Sequence, residues 1–184
     1  ETTTTEDEET TTTEDEETTT TEDDGGEGGT VDVDEWAGEF CGNFDTWMTA
    51  VQDAGTNVAD SMGDSTDLES AKTAVVGLFE TISSETETLI GAIEDGGAPD
   101  IEDGEALVDD LVGKFTEFND SIESAQAEAE GLDTADPAAF ATDVQSVVST
   151  FQTEVTEVGN SFSELDSKYP SEELNDALTS SCNL

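Results

Sequence analysis

The chain has 184 residues, of which 49 are Asp or Glu and three are Lys. It contains no Arg and no His, so its formal net charge is −46. Three lysines cannot form the basic surface that binds nucleic-acid phosphates or anionic lipid, so no nucleic-acid partner is expected. The lack of His removes the commonest general base and metal ligand.

The composition divides the chain at residue 30. Residues 1–30 contain only Glu, Asp, Thr and Gly, whereas residues 31–184 carry every apolar side chain. The apolar fraction there is roughly 40%, which is ordinary for a globular domain. We therefore predict a disordered Thr/Glu/Asp-rich spacer over 1–30 and one helical domain over 31–184.

The spacer is built on a repeat of eight residues. Thr tetrads at 2–5, 10–13 and 18–21 alternate with acidic blocks, and like charges extend such a chain. We interpret it as a spacer that holds the domain away from a surface, with threonines that are candidates for O-glycosylation. An inert solubilising tail and a low-affinity cation store are the alternatives.

Apolar residues at steps of three and four predict two helices in the first half of the domain. The first begins near Asp34 and ends at Gly63–Ser65, with the stripe Trp36, Phe40, Phe44, Trp47, Val51 and Val58. Ser65 or Thr66 should cap the second helix. That helix ends at the paired Gly and Pro of 96–99, and its stripe is Leu68, Ala71, Val75, Leu78, Phe79, Ile82, Leu89 and Ile93.

The second half of the domain predicts two more long helices and a short one. The third runs from near Glu102 to Gly131, and the fourth starts at Asp136–Pro137, a capping Asp followed by Pro. The fourth stripe is Phe140, Val144, Val147, Phe151, Val155, Val158, Phe162, Leu165 and Tyr169, and a short helix spans Ser171–Ser180. The predicted fold is all-α: an up-down-up-down four-helix bundle plus a short C-terminal helix.

The two cysteines, Cys41 and Cys182, lie near the two ends of the domain. An even number of cysteines suggests one disulfide and an oxidising compartment. The predicted topology also brings the start of the first helix and the end of the fourth to the same pole. Two buried free thiols are the alternative.

No stretch approaches the roughly 18 apolar residues that span a membrane, so no transmembrane segment is expected. The sequence opens on Glu1 with a repeat and no initiator Met. We expect that a leader preceded it and was removed.

Four segments carry a resemblance to a known group of proteins. They are Phe40-Cys41 followed by Trp47, the turn at 97–105, the segment 131–140 and the ending Ser181-Cys182-Asn183-Leu184. Together they resemble small secreted proteins and lipoproteins of actinobacteria that have an all-helical, two-cysteine domain and no assigned function. The resemblance implies export to the cell surface and a lipid anchor upstream of Glu1. It implies no activity and no functional residues.

The acidity favours a halophilic protein. The 36 acids of residues 31–184 face only three lysines, and their repulsion destabilises a compact state unless salt screens it. The alternative is an acidic surface that binds a cationic partner. Each lysine follows an acid by one turn, which predicts the helical pairs Glu69–Lys72, Asp110–Lys114 and Glu164–Lys168.

Few residues suggest a chemical site. The carboxylates Asp100, Glu102, Asp103 and Glu105 are weak candidates for a Ca²⁺ site, although a solvated helix-capping turn is favoured and the EF-hand pattern is not met. Asn119 opens the sequon Asn-Asp-Ser and is a glycosylation candidate. A carboxylate pair could hydrolyse glycosides, but salt adaptation explains these carboxylates, so we expect no cofactor, no catalytic residues and no enzymatic activity.

These observations predict an exported, surface-tethered helical binding or structural module with an unidentified protein or cell-envelope partner. The alternative is a lipoprotein that binds a small ligand or a divalent cation. The aromatic stripe of the first helix distinguishes them, since it is either part of a solid core or the wall of a pocket.

Overall fold

The computed structural model describes residues 29–64 and 67–182, except for the side chains of 59–64, 158, 159, 161–163 and 166. These residues form five helices and two short strands: β1 (Thr30–Val31), α1 (Val33–Asp64), α2 (Leu68–Asp95), β2 (Ala98–Pro99), α3 (Gly104–Glu130), α4 (Pro137–Lys168) and α5 (Glu172–Ser181). The domain is predominantly helical, as predicted. None of its described helices is both long and apolar enough to cross a membrane.

The core lies between consecutive helices. The helix α2 packs against both α1 and α3, α4 packs against α3, and α5 packs against α1. The most deeply buried large side chains belong to α2 and α3, namely Phe79, Ile82, Phe115 and Ile122. The apolar stripe predicted for the second helix therefore identifies the face that α2 buries.

Two predicted helix starts are confirmed by their caps. The Asp136 carboxylate accepts hydrogen bonds from the backbone N–H groups of Ala138 and Ala139, at 2.9 and 3.3 Å, with Pro137 at the first helical position. The Ser171 hydroxyl accepts from the Leu174 N–H at 3.2 Å and caps α5. Both caps satisfy amide groups that a helix N-terminus leaves without an internal partner.

The start of α2 differs from the prediction. Its capping position is Asp67, whose carboxylate accepts a hydrogen bond from the Ser70 hydroxyl at 3.0 Å. The predicted caps Ser65 and Thr66 lie outside the described residues, as do the side chains of Val158 and Phe162 and the spacer residues 1–28. The spacer and its alternatives therefore stay predictions.

The strand pair was not predicted, and it anchors the beginning of the domain. The parallel strands β1 and β2 bring the Val31 carbonyl within 2.8 Å of the Asp100 N–H and the Gly29 carbonyl within 3.4 Å of the Ala98 N–H. Gly97 has φ +69°, and a Cβ there would lie 2.7 Å from the Gly29 carbonyl oxygen. Only glycine fits this crossing without strain.

Deleting residues 1–28 should leave the melting temperature unchanged, because those residues contain no apolar side chain. Deleting residues 1–31 should lower it by several degrees, since that also removes the half-buried Val31 and the strand hydrogen bonds, together worth roughly 1–3 kcal/mol. Thermal melts of the two truncated proteins in molar NaCl test this prediction. Equal melting temperatures for both would contradict an anchoring role for β1.

Candidate functional site

The four aromatic residues of α1 form a continuous ladder along one side of the helix. Neighbouring ring centroids lie 5.3 Å apart for Trp36 and Phe40, 5.9 Å for Phe40 and Phe44, and 5.4 Å for Phe44 and Trp47. The first two pairs are stacked, with interplanar angles of 2° and 16°. The spacing of three and four residues produces this ladder, because such residues are neighbours on a helix surface.

The two indoles at the ends of the ladder belong to the core. Trp36 is buried, and its Nε1 donates a hydrogen bond to the Gly97 carbonyl at 3.1 Å. Trp47 is buried, and its Nε1 donates to the Thr86 hydroxyl at 3.0 Å. That hydroxyl in turn donates to the Ile82 carbonyl at 2.7 Å. These bonds satisfy the polar atoms that buried Trp and Thr residues bring into a core.

The two phenylalanines in the middle of the ladder have a different environment. Phe40 and Phe44 are half-buried and line a partly open groove with a volume of about 950 Å³. Met48 lies on the same side of α1 and is 37% exposed. The aromatic stripe is therefore core at Trp47, both core and cavity wall at Trp36, and cavity wall at Phe40 and Phe44, with Met48 beside them.

The other walls of the groove come from three further helices. Leu107 and Leu111 of α3 and Leu165 of α4 line it, with Tyr169 just after α4, and α5 contributes Leu174 and Leu178. The volume lies within the range of about 300–1,000 Å³ that is typical of small-molecule sites, which are also mostly apolar.

The groove lies where the described parts of α1 and α4 make no extensive contact with each other. Within the described residues, α4 has its extensive helix contact with α3, while α5 occupies the neighbouring side of α1. The helix α5 has ten residues, whereas α1 and α4 each have 32, so α5 extends along only part of their length.

The disulfide fixes one edge of the groove. Cys41 of α1 and Cys182, which follows α5, are joined as predicted, with their Cα atoms 5.0 Å apart. Both cysteines line the groove, between Phe40 and the end of α5. The bridge therefore holds α5 against α1 at the place where the cavity is bounded by these two helices.

A polar cluster lies beside the floor of the groove. The Tyr169 hydroxyl lies 3.0 Å from the Ala106 carbonyl oxygen and 2.8 Å from the Asp110 carboxylate, and it can donate its proton to either. The Lys168 ammonium pairs with the same carboxylate. The hydrogen bonds from Lys168 and Tyr169 lower the pKa of Asp110, and the Asp110 carboxylate raises the pKa of Lys168. The cluster joins the end of α4 to α3.

The predicted cation candidates do not form a ligand set. Asp100, Glu102, Asp103 and Glu105 are all exposed, in the turn before α3 and in its first residues. No three carboxylate, cysteine or histidine side chains converge on one point among the residues described by the structure. The turn is instead shaped by the backbone, since Asp103 has φ +63° and a Cβ on Gly104 would lie 2.1 Å from the Pro99 carbonyl oxygen.

The glycosylation candidate Asn119 lies in the middle of α3 and is 8% exposed. Its Nδ2 lies 3.5 Å from the Glu123 carboxylate, and its Oδ1 has no hydrogen-bond partner among the described residues. A glycan on this nitrogen would have to be added before the helix packs. Glycosylation of Asn119 stays a prediction.

Comparison with known proteins gives no relative for this chain. No protein-family model matches it, and no curated protein or solved structure matches it significantly. The resemblance to secreted actinobacterial proteins therefore stays a prediction beyond its coarse features, which are an all-helical domain and one cysteine pair at bonding distance.

Proposed function

We propose that this chain is an exported, surface-tethered helical module that binds a small, mainly apolar ligand in the groove between α1 and α5. The observation that carries the proposal is the position of Phe40, Phe44 and Met48 on an open cavity of about 950 Å³. Phe40 is half-buried and Met48 is 37% exposed, and a purely structural module would gain stability by burying these two side chains more fully.

The proposed architecture is an up-down-up-down bundle of α1 to α4, with α5 inserted beside α1. The contacts between consecutive helices support this arrangement. The disulfide supports export, because such bonds persist in oxidising compartments. In this proposal the acidic spacer tethers the domain at the pole where β1 begins, and the module binds its ligand without a chemical reaction.

A divalent cation is the less favoured ligand. The carboxylates of the described residues do not converge as a cation site requires. The lining of the groove is mostly apolar and aromatic, which suits an organic ligand.

Fluorescence titration in molar NaCl with the neutral probe N-phenyl-1-naphthylamine tests the proposal. We expect saturable binding to the full chain at one site. Met48→Glu should abolish it, because a carboxylate in an apolar groove must remain solvated and so excludes the probe.

Val148→Glu is the matched control for that substitution. Val148 lies on α4 outside the groove lining, and its exposure of 41% is close to the 37% of Met48. This variant should bind the probe as the parent protein does. Absence of saturable binding to the parent protein, or equal binding by both variants, would contradict a ligand site in the groove.

A further inference from the structure

We infer that the ligand of the groove is an organic cation, with an apolar body between α1 and α5 and its positive charge beside Asp45. This inference rests on the proposed function. Among the described lining residues Asp45 is the one charged side chain, and the others are apolar, aromatic or neutral polar. The groove therefore offers a binding surface for an apolar body and one carboxylate for its charged end.

The acidic side chains around the groove favour a positive ligand. The helix α5, which supplies Leu174 and Leu178 to the lining, also carries the exposed acids Glu172, Glu173 and Asp176. A surface of one sign attracts ligands of the opposite sign and repels those of the same sign. A fatty acid or another anionic amphiphile would have to place its charge in this negative potential.

The lysine beside Tyr169 does not reverse this potential. Lys168 lies 5.0 Å from the ring centroid of Tyr169, a lining residue, but its ammonium is paired with Asp110. The faces of the Phe40 and Phe44 rings are largely occupied by each other and by Trp36. Recognition of the charge therefore depends on Asp45, and the ladder contributes apolar contact.

Competition experiments with matched alkyl probes test the inference. Decyltrimethylammonium, decanol and decanoate, each below its micelle concentration, are titrated against bound N-phenyl-1-naphthylamine. We expect decyltrimethylammonium to bind up to about fivefold more tightly than decanol, as one exposed charge pair allows. Decanoate should be the weakest competitor. The ratio of the decanol and decyltrimethylammonium dissociation constants should be larger at the lowest NaCl concentration that keeps the helices formed than in molar NaCl, because salt screens the charge pair.

In Asp45→Asn, the dissociation constants of decyltrimethylammonium and decanol should lie within about twofold of each other, because the variant lacks the carboxylate that pairs with the positive charge. Asp53→Asn is the control, because it removes the same charge from an exposed position of α1 that does not line the groove. Asp53→Asn should still bind decyltrimethylammonium more tightly than decanol. Two results would overturn this inference and leave the proposed function standing, provided that the naphthylamine and decanol bind. One is that decanoate competes as well as decyltrimethylammonium, and the other is that Asp45→Asn still binds decyltrimethylammonium more tightly than decanol. If no probe binds, both are overturned.

Discussion

Removal of the Cys41–Cys182 bridge should lower the free energy of unfolding by up to about 5 kcal/mol. The two cysteines are 141 residues apart in sequence. The chain-entropy model assigns a cross-link over such a loop on the order of 5 kcal/mol, because it restricts the unfolded chain. Urea unfolding of Cys41→Ala/Cys182→Ala in molar NaCl measures the loss, since urea leaves the ionic strength unchanged. An unfolding midpoint equal to that of the parent protein would contradict the prediction.

The same variant should also loosen α5 in the folded state. A helix of ten residues is marginal on its own, and the described part of α5 buries only Leu174 and Ala177. Amide hydrogen exchange should therefore become faster in α5, while the core amides of α2 and α3 change only with global stability. Equal acceleration in all helices would show that the bridge stabilises the whole domain without a separate effect on α5.

The sequence predicted the helices well because their signals are local. Apolar spacing, the Asp136–Pro137 start and Pro170 before the short last helix are signals that depend on residues within a few positions of each other. The predicted and observed bounds accordingly differ by only a few residues, as with α3, which begins at Gly104 and not near Glu102. The disulfide was predictable because an even number of cysteines favours a pair, and the predicted up-down topology places the start of the first helix and the end of the fourth at the same pole.

The contacts of the lysines could not be predicted in this way. Lys72 donates a hydrogen bond to the Leu132 carbonyl at 3.1 Å, Lys114 pairs with Glu117, and Lys168 pairs with Asp110 of α3. These partners differ from the acids one turn earlier that helical spacing favoured. Lys72 and Lys168 lie near helix ends, where a long side chain reaches other helices and loops, so packing determines their partners. Lys114 lies within α3 and pairs with an acid three residues later instead of four residues earlier.

The groove also depends on packing. Every residue of the ladder has the spacing of a core stripe, and the sequence contains no signal that separates Phe40 and Phe44 from Trp36 and Trp47. Phe40 and Phe44 face the groove, where the described part of α4 has its extensive contact with α3 and makes none with α1. One available signal was the length of α5, since a predicted helix of ten residues is too short to complete a layer between two long helices.

Stability should rise steeply with monovalent salt, and this is the largest effect that we expect. Two carboxylates about 10 Å apart repel by about 0.4 kcal/mol in water, so a few tens of such pairs amount to on the order of 10 kcal/mol. That is comparable with the whole stability of a typical domain. Within the described residues only two ion pairs, Lys114–Glu117 and Lys168–Asp110, offset this repulsion. The helices should therefore be largely unfolded in dilute buffer and form in molar salt.

Melting curves followed by circular dichroism in NaCl and KCl, from dilute to molar, test the origin of the effect. Screening depends on ionic strength, and the screening length falls from about 10 Å at 0.1 M to about 3 Å at 1 M. The two salts should therefore give nearly superimposable curves. Helices that are fully formed and equally stable in dilute buffer would contradict the halophilic interpretation and would favour an acidic face for a cationic partner.

Calcium in the same experiment separates screening from binding. A bound ion stabilises by mass action, as RT ln(1 + [L]/Kd), and so acts at millimolar concentrations against a molar background. Because the carboxylates at 100–105 are exposed and do not converge, CaCl₂ and EDTA should each leave the melting temperature in molar NaCl unchanged. A large, saturable rise with CaCl₂ that EDTA reverses would instead show that Asp100, Glu102, Asp103 and Glu105 rearrange into a cation site.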